Sequence, residues 1–526
     1  MKITARWAGL PAAVTTIVAL AAIAPAGASA ATCNGTSIIG EGSSFQNIAQ
    51  NAPGGTVLSS TGSSIPGDQG WKNLFKSGYT SATGSHVAQW CSASGSFNTT
   101  GQTITYNSTG SGNGVNAWGA QRPNGTNYVP QAGFRSGTVS NPDSTGTYKN
   151  YADRFTAYDD APSPGEQAKM NNGDPANGFQ PGILHNIPVA QGAIANIVNF
   201  PDGCTWASSF NHKLDAAGQT TRFKVPNATL EKVWAGSITT WGGMFNNHLT
   251  PASCNSLTIT RVVRQDSSGT TFNFKQWLDL VSHRTGGSGT DWGMTGTGYN
   301  TPGNNTNWPA PTIHNAGSGG GNLATTVAGT DGSIGYAFLG DARAKGFDMT
   351  ATTPGTQADT TFWLPIYNDA SPTPKLLDPQ ANGNDGYKAG QGINTHGSNC
   401  SKATYHGIPT NGLPGYTGSA VANDPTTSDQ WAAASGIGQS VAYEMCYMSW
   451  IGVWDDYSNV YGSSAAEGKK FSSVKDYLNM ILATGQTMLP LDDYAKLPTA
   501  LGSAYNDGSG PSVATLAKNG MKNVHL

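Results

Sequence analysis

The chain has 526 residues, only 11% of them charged, with 69 glycines and a formal net charge of −3. That length exceeds one small core and fits two or three domains, while 37% apolar residues and 14 tryptophans exclude a wholly disordered chain. The slightly acidic balance argues against a nucleic-acid partner, which calls for a basic surface.

Residues 1–30 read as a secretory signal: Lys2 and Arg6 form a basic start, an apolar run spans about Ala8 to Ala24, and Ala28-Ser29-Ala30 offers a small-x-small cleavage site. The competing reading, a membrane anchor, is weakened by Pro11, Thr15 and Thr16. No later stretch approaches the ~18–20 apolar residues of a membrane helix. Ala30-Ala31-Thr32 makes a poor lipobox for Cys33. Export removes two basic residues and no acid, leaving 26 basic against 31 acidic residues, a net charge of −5. Cys33, Cys91, Cys204, Cys254, Cys400 and Cys446 all lie in the mature chain. An even count in an exported chain implies disulfides. Fifteen pairings are open in principle, and pairing of sequence neighbours gives Cys33–Cys91, Cys204–Cys254 and Cys400–Cys446. There is no Cys-x-x-Cys, so zinc and thioredoxin-type chemistry lack support.

Along the chain, Ser37-Ile38-Ile39 reads as a strand, followed by a glycine turn and a helix start at Ser43 or Ser44. A helical patch surrounds Trp71 to Phe75. Thr103-Ile104-Thr105-Tyr106 alternates as a strand and runs through a Gly/Ser turn to a helix from Val115. Phe155 to Tyr158 is a strand ending at Asp159-Asp160-Ala161-Pro162, with Ser163 as cap and Pro164 as first helical residue. Ile183 to Phe200 is a long apolar run able to cross between domains. Thr229 to Trp234 is a short helix, and Leu257 to Arg264 a strand. After it, Phe274, Trp277, Leu278 and Val281 share one helical face. Gly332 to Phe338 reads as a buried strand, Tyr443 to Val453 as an apolar aromatic run, and Val474 to Leu482 as a C-terminal helix. Strands alternating with helices indicate an α/β design with its site at strand C-terminal ends.

Three separated segments place hydroxyls beside glycines where a helix begins: Gly40 to Phe45, Thr109 to Gly114, and Arg264 to Phe272. Unpaired N–H groups and hydroxyls at a helix start form a cradle for an anion. Arg264 is the one basic group in these segments, and its guanidinium can fork two hydrogen bonds onto an oxyanion. Asp266 is close enough to pair with it. As an ordinary surface pair the two contribute about 0–1 kcal/mol; with Ser268-Gly269-Thr270 opening a helix directly behind, binding is the better reading. Asp160 suits an anion that carries a proton, since its carboxylate then accepts that O–H. Phosphate near neutral pH has such a proton and sulfate does not. A turn or capping role ahead of Pro162 is the alternative. No Walker loop, Gly-x-Ser-x-Gly elbow or His-Glu-x-x-His is present, so the expectation is a non-enzymatic protein without cofactor.

These residues resemble the phosphate-binding proteins of phosphate ABC transporters, type II periplasmic substrate-binding proteins. Gly40 to Phe45 is similar to the family's Gly-x-Gly-x-Thr/Ser-Phe, Tyr106 to Ser111 to its Tyr-x-x-x-Gly-Ser, and Asp160-Ala161-Pro162 to its Asp-Ala-Pro. Arg264 to Thr270 follows its Arg-x-Asp-x-Ser-Gly-Thr, Gly335-Tyr336 its Ile-Gly-Tyr, and Asp493 to Pro498 its Asp-Tyr-x-x-Leu-Pro. The resemblance implies a two-lobed α/β fold with an interlobe cleft and long loop insertions. Residues 31–190 and 441–526 would form lobe I and 191–440 lobe II, with an insertion at 347–440. It implies that Ser44 donates hydroxyl and N–H, Phe45 its N–H, and Ser111 its hydroxyl. Asp160 would accept the phosphate proton, Arg264 bind bidentately, Asp266 hold Arg264, and Ser268, Gly269 and Thr270 donate from the helix start. The implied ligand is inorganic phosphate and the implied partner an ABC permease, served by a monomer in the periplasm, cell envelope or medium. A secreted adhesive protein of the same fold and a phosphoester hydrolase reusing the cradle are the alternatives. Ser44 stands where threonine is usual, Asp159 adds a second acid, and the intervals 46–105, 112–159 and 347–440 exceed the family's usual length.

Overall fold

The computed structural model describes residues 36–52, 70–76, 103–122, 153–173, 180–206, 225–284, 286–293, 305–310, 313–348, 361–369, 375–381, 396–405, 431–438, 443–499 and 512–524, with the short segments 33–34, 97–98, 212–214, 220–223 and 371–372. The expected signal segment and Cys91 lie outside them.

One 16-residue strand, Leu184–Asn199, organises the molecule. Every residue in it is buried, which its near-continuous apolar sequence requires. Its first part pairs antiparallel with Met445–Trp454, and beyond that lie, in order, Asp153–Tyr158, Ile38–Gly42 and Ile104–Ser108. The last three run parallel to one another. Its final residues pair antiparallel with Ser333–Phe338 on one side and Thr361–Leu364 on the other. Thr260–Val263 and Ile313–Asn315 extend that half of the sheet in parallel. Two half-sheets thus share one strand, and the chain returns between them along Met445–Trp454. The register of that return shifts between Ser449 and Trp450, where Pro188 stands opposite Trp450. Proline has no N–H to give the ladder, so an irregularity there is expected.

Helices cover the faces. Gly269–Ser282 presents Phe274, Trp277, Leu278 and Val281 to the core, all essentially buried. Tyr336 stacks on Phe274 with centroids 4.6 Å apart, and Trp234 meets Phe274 edge-on at 5.1 Å. Such pairs add roughly 0.5–1.5 kcal/mol each beyond burial. Pro164–Asn172 starts as the sequence indicates, with Ser163 and Glu166 forming a capping box. Three helix starts differ from expectation. The helix expected from Val115 spans Ser111–Asn116, because Gly110 at φ 101 turns the chain directly into it. The C-terminal helix spans Ala465–Met480, beginning where Ser464 accepts the Glu467 N–H. Helix Asn47–Asn51 begins three residues beyond Ser44.

Disulfides join Cys204 to Cys254 and Cys400 to Cys446. The second ties the 396–405 segment to the returning strand. Tyr405 in that segment and Tyr443 ahead of the returning strand donate instead to the long strand, at Gln191 Oε1 (2.6 Å) and the Ile194 carbonyl (2.8 Å). No helix among the described residues is long and apolar enough to cross a membrane.

Candidate functional site

Four strands deliver the chemistry-bearing loops from their C-terminal ends, three of them parallel to one another and the fourth running opposite to them across the sheet. Ile38–Gly42 leads to Ser43, Ser44 and Phe45; Ile104–Ser108 to Ser111; Asp153–Tyr158 to Asp159 and Asp160; Thr260–Val263 to Arg264. The first three belong to one half-sheet and the fourth to the other. Gly42, at φ +135, lets the first loop turn against the Ala157 carbonyl, and the Ser43 N–H donates to that carbonyl at 2.8 Å.

Arg264 is fully buried. Its Nε donates to Asp266 Oδ1 at 2.5 Å and its Nη2 to Asp266 Oδ2. Nη1 reaches across to Ser44 Oγ at 3.3 Å. Burial works against the guanidinium charge, and Asp266 more than restores it, so its pKa is raised. The Arg264 N–H donates to the Tyr336 hydroxyl (3.3 Å), which also meets Thr271 Oγ1 at 2.7 Å. Strand, guanidinium and helix start are therefore held as one unit.

That helix opens at Ser268, whose Oγ accepts the Thr271 N–H at 3.2 Å. The Phe272 N–H goes to the Ser268 carbonyl at 2.9 Å. The N–H groups of Gly269 and Thr270 are left without an intrahelical acceptor. Thr270 Oγ1 lies 3.3 Å from the Tyr447 hydroxyl on the returning strand.

The two half-sheets meet here. A Cβ on Gly269 would stand 2.7 Å from the Asp159 carbonyl carbon and 2.9 Å from Ser111 Oγ. The Gly112 N–H donates to the Ser267 carbonyl at 3.2 Å, and Asn273 Nδ2 to the Asp159 carbonyl at 2.8 Å. Ser44, Ser111, Arg264, Gly269 and Thr270 are thus brought together, with Asp266 behind the guanidinium.

Three expectations are corrected by this geometry. Asp160 turns away to Arg122, whose Nη1 donates to its Oδ2 at 2.9 Å. Arg122 spends its other edge on Glu166, at 2.7 and 2.8 Å. Successive residues leaving a strand point to opposite sides, so it is Asp159 that faces Gly269. Its carboxylate accepts from the hydroxyls of Ser43, Ser111 (3.1 Å) and Ser449 (3.1 Å). Second, the Phe45 N–H, expected on the anion, is taken by Ser43 Oγ at 3.0 Å. The Phe45 ring instead packs on Phe338 and Tyr447, both at 4.6 Å. Third, the Ser268 N–H donates to Asn305 Oδ1 at 3.3 Å. Sequence reasoning missed Ser43, Tyr447, Ser449, Arg122 and Asn305. Isolated hydroxyls at 447 and 449 within an apolar run were the available signal; Arg122 and Asn305 lie in polar stretches that carry none.

Three buried carboxyls in and beside the site titrate high. Burial pushes Asp159 up to about 6 against the pull of the three serines and Arg264. Burial, with Glu166 and Asp159 nearby, puts Asp160 at about 7 despite Arg122, which holds Glu166 below its usual range. Burial also raises Asp341, at the start of Leu339–Ala344, to about 7 against the pull of Arg264. A carboxyl whose folded pKa exceeds its unfolded value binds more protons when folded, so its contribution is full below about pH 4 and is lost as pH rises through the folded pKa. The lowered Glu166 acts the other way, but below the window in question; Lys275, whose pKa burial lowers, also acts the other way, while Asp153, which burial pushes up to about 8, adds to the loss. The ligand-free protein is therefore expected to melt several degrees lower at pH 8 than at pH 5.5. Calorimetric melting midpoints across that range check this; a flat or rising trend contradicts it.

Comparison with known proteins decides the lineage. A family model described as a PBP superfamily domain matches residues 75–388, more than half of the chain. The chain belongs to the PBP superfamily. Its described residues form a mixed α/β structure in which one curled sheet is divided into two half-sheets that share the strand Leu184–Asn199. No curated protein sequence matches the chain. Among solved structures, a phosphate-binding protein from Stenotrophomonas maltophilia is 15% identical at a TM-score of 0.48, covering 90% of this chain and 99% of its own. A high-affinity periplasmic phosphate-binding protein bound with phosphate is 16% identical at 0.46, covering 92% and 98%. A human phosphate-binding apolipoprotein is 14% identical at 0.42, covering 90% and 99%.

Proposed function

We propose that this protein is an exported, non-enzymatic binding protein that captures inorganic phosphate between its lobes and delivers it to an ABC permease. The observation carrying the reading is the Arg264 guanidinium, clamped by Asp266, facing Ser44 across the lobes and backed by the Gly269–Ser282 helix start. One cation whose charge is largely matched by Asp266, together with hydroxyls and helix N–H groups, suits a small anion stripped of water. Lobe I is taken as 31–190 with 441–526, and lobe II as 191–440. The anion bridges them, and closure is driven by its differential affinity for the closed state.

Asp159 supplies selectivity in this scheme. Ionised, it accepts the proton that phosphate carries and repels the oxygens of sulfate, which carries none. Calorimetry with both anions tests the assignment. Asp159→Asn should narrow the phosphate-over-sulfate preference by about tenfold or more, one buried charged hydrogen bond. Asp160→Asn should leave the preference unchanged. Lowering the pH through about 6 should narrow the wild-type preference in the same way, since a protonated Asp159 donates rather than accepts. Equal behaviour of the two variants would remove Asp159 from the ligand.

A further inference from the structure

We propose that Asn305 and Lys275 are positioning residues for this site, fixing the first turn of the Gly269–Ser282 helix so that the Gly269 and Thr270 N–H groups stay aimed at the anion. The inference rests on the phosphate reading of the site.

Asn305 is completely buried and grips both backbone groups of Ser268 with one carboxamide. Its Oδ1 accepts the Ser268 N–H at 3.3 Å, and its Nδ2 donates to the Ser268 carbonyl at 3.1 Å. That carbonyl already accepts the Phe272 N–H, and Ser268 Oγ already accepts the Thr271 N–H. Ser268 is therefore fixed at its N–H, its carbonyl and its hydroxyl oxygen. Its N–H is withdrawn from the anion, so the helix start offers two backbone donors in a defined direction rather than three in a loose one.

Asn305 is itself anchored from the same helix. Lys275 Nζ donates to the Asn305 carbonyl at 2.7 Å and to the Asn307 carbonyl at 2.6 Å. Its Nζ stands 4.2 Å from the centre of the Trp308 ring. The 305–308 segment thus straps two turns of the helix together. Rotating the Ser268 peptide would swing the next two N–H groups off the anion, and the carboxamide opposes that rotation at both ends. Neither residue touches the ligand position; both act through Ser268.

The test is titration calorimetry with inorganic phosphate on the full chain, comparing wild type, Asn305→Ala and Asn305→Asp at pH 8 and pH 5, with melting midpoints measured alongside. Asn305→Asp keeps the shape and the acceptor but loses the donor to the Ser268 carbonyl while its new carboxyl is ionised. Binding should fall about 10- to 100-fold at pH 8 and return to near wild type at pH 5, because burial at this fully buried position raises the new carboxyl above the ordinary aspartate range and the protonated form donates again. Asn305→Ala should be weak at both pH values. A merely structural role would move the melting midpoint together with the affinity, whereas a positioning role weakens binding in protein that melts near the wild-type midpoint, and Asn305→Asp decides the matter even if Asn305→Ala does not fold. An Asn305→Asp deficit below about threefold at pH 8, or one that does not change with pH, overturns the proposal. Wild-type protein that takes up no phosphate sinks the functional reading and this inference with it; wild-type binding matched by both variants sinks the inference alone.

Discussion

Replacing Arg264 with alanine is expected to weaken phosphate binding by about a thousandfold, some 4 kcal/mol. The anion would lose its guanidinium, and Asp266, now buried without its partner, would add a repelling charge. Truncating one member of a buried, hydrogen-bonded charge pair commonly costs 2–5 kcal/mol for that reason. The Arg264–Asp266 pair itself argues little for stability, because desolvation offsets most of its attraction; its presence is better explained by a ligand. Arg264→Lys should fall between wild type and alanine, since an ammonium cannot bind Asp266 and the anion in fork geometry. Calorimetry on folded variants provides the measurement. A loss below about tenfold, roughly 1.4 kcal/mol, places the anion somewhere else.

Gly269→Ala should produce the second large effect, with a distinct signature. A Cβ there would press on the Asp159 backbone at 2.7 Å and on Ser111 Oγ at 2.9 Å. Both neighbours follow strands of the other half-sheet, so under the proposed two-lobed closure the clash exists only in the closed form. Overpacking of this kind costs about 1–3 kcal/mol, which corresponds to roughly a 10- to 100-fold loss of affinity. Alanine also favours the first turn of a helix over glycine, so the ligand-free melting temperature should hold or rise slightly. Small-angle scattering should show that saturating phosphate no longer compacts the variant as it does the wild type. Unchanged affinity and unchanged compaction would mean that the two surfaces do not meet in the ligand-bound form.

The sequence made the frame of this molecule legible where local chemistry is strong. The helix face of Phe274, Trp277, Leu278 and Val281 follows from its spacing, and the Ser163 cap from Pro164 and Glu166 beside it. The long crossing strand is readable because a predominantly apolar run of that length, without alternation, must be buried on both faces. The Arg264–Asp266 clamp is readable because its two members lie two residues apart. What sequence reading misplaced depends on partners that are distant in the chain. Asp159 and Asp160 are indistinguishable until Arg122, 38 residues upstream of Asp160, claims the second. The Phe45 N–H looks available until Ser43 folds back onto it. The Ser268 N–H looks like a ligand donor until Asn305, 37 residues later, takes it. Each correction is a competition for one hydrogen-bonding group, decided by tertiary packing rather than by local propensity.

The Arg264–Asp266 clamp has a kinetic consequence. A positive charge neutralised at contact distance projects almost no field into the surrounding solution, and the chain as a whole carries a formal net charge of −3. Nothing draws the ligand in from afar, so capture depends on unguided diffusional collision followed by close-range selection. Added electrolyte, which blunts long-reaching attraction, would find little here to blunt.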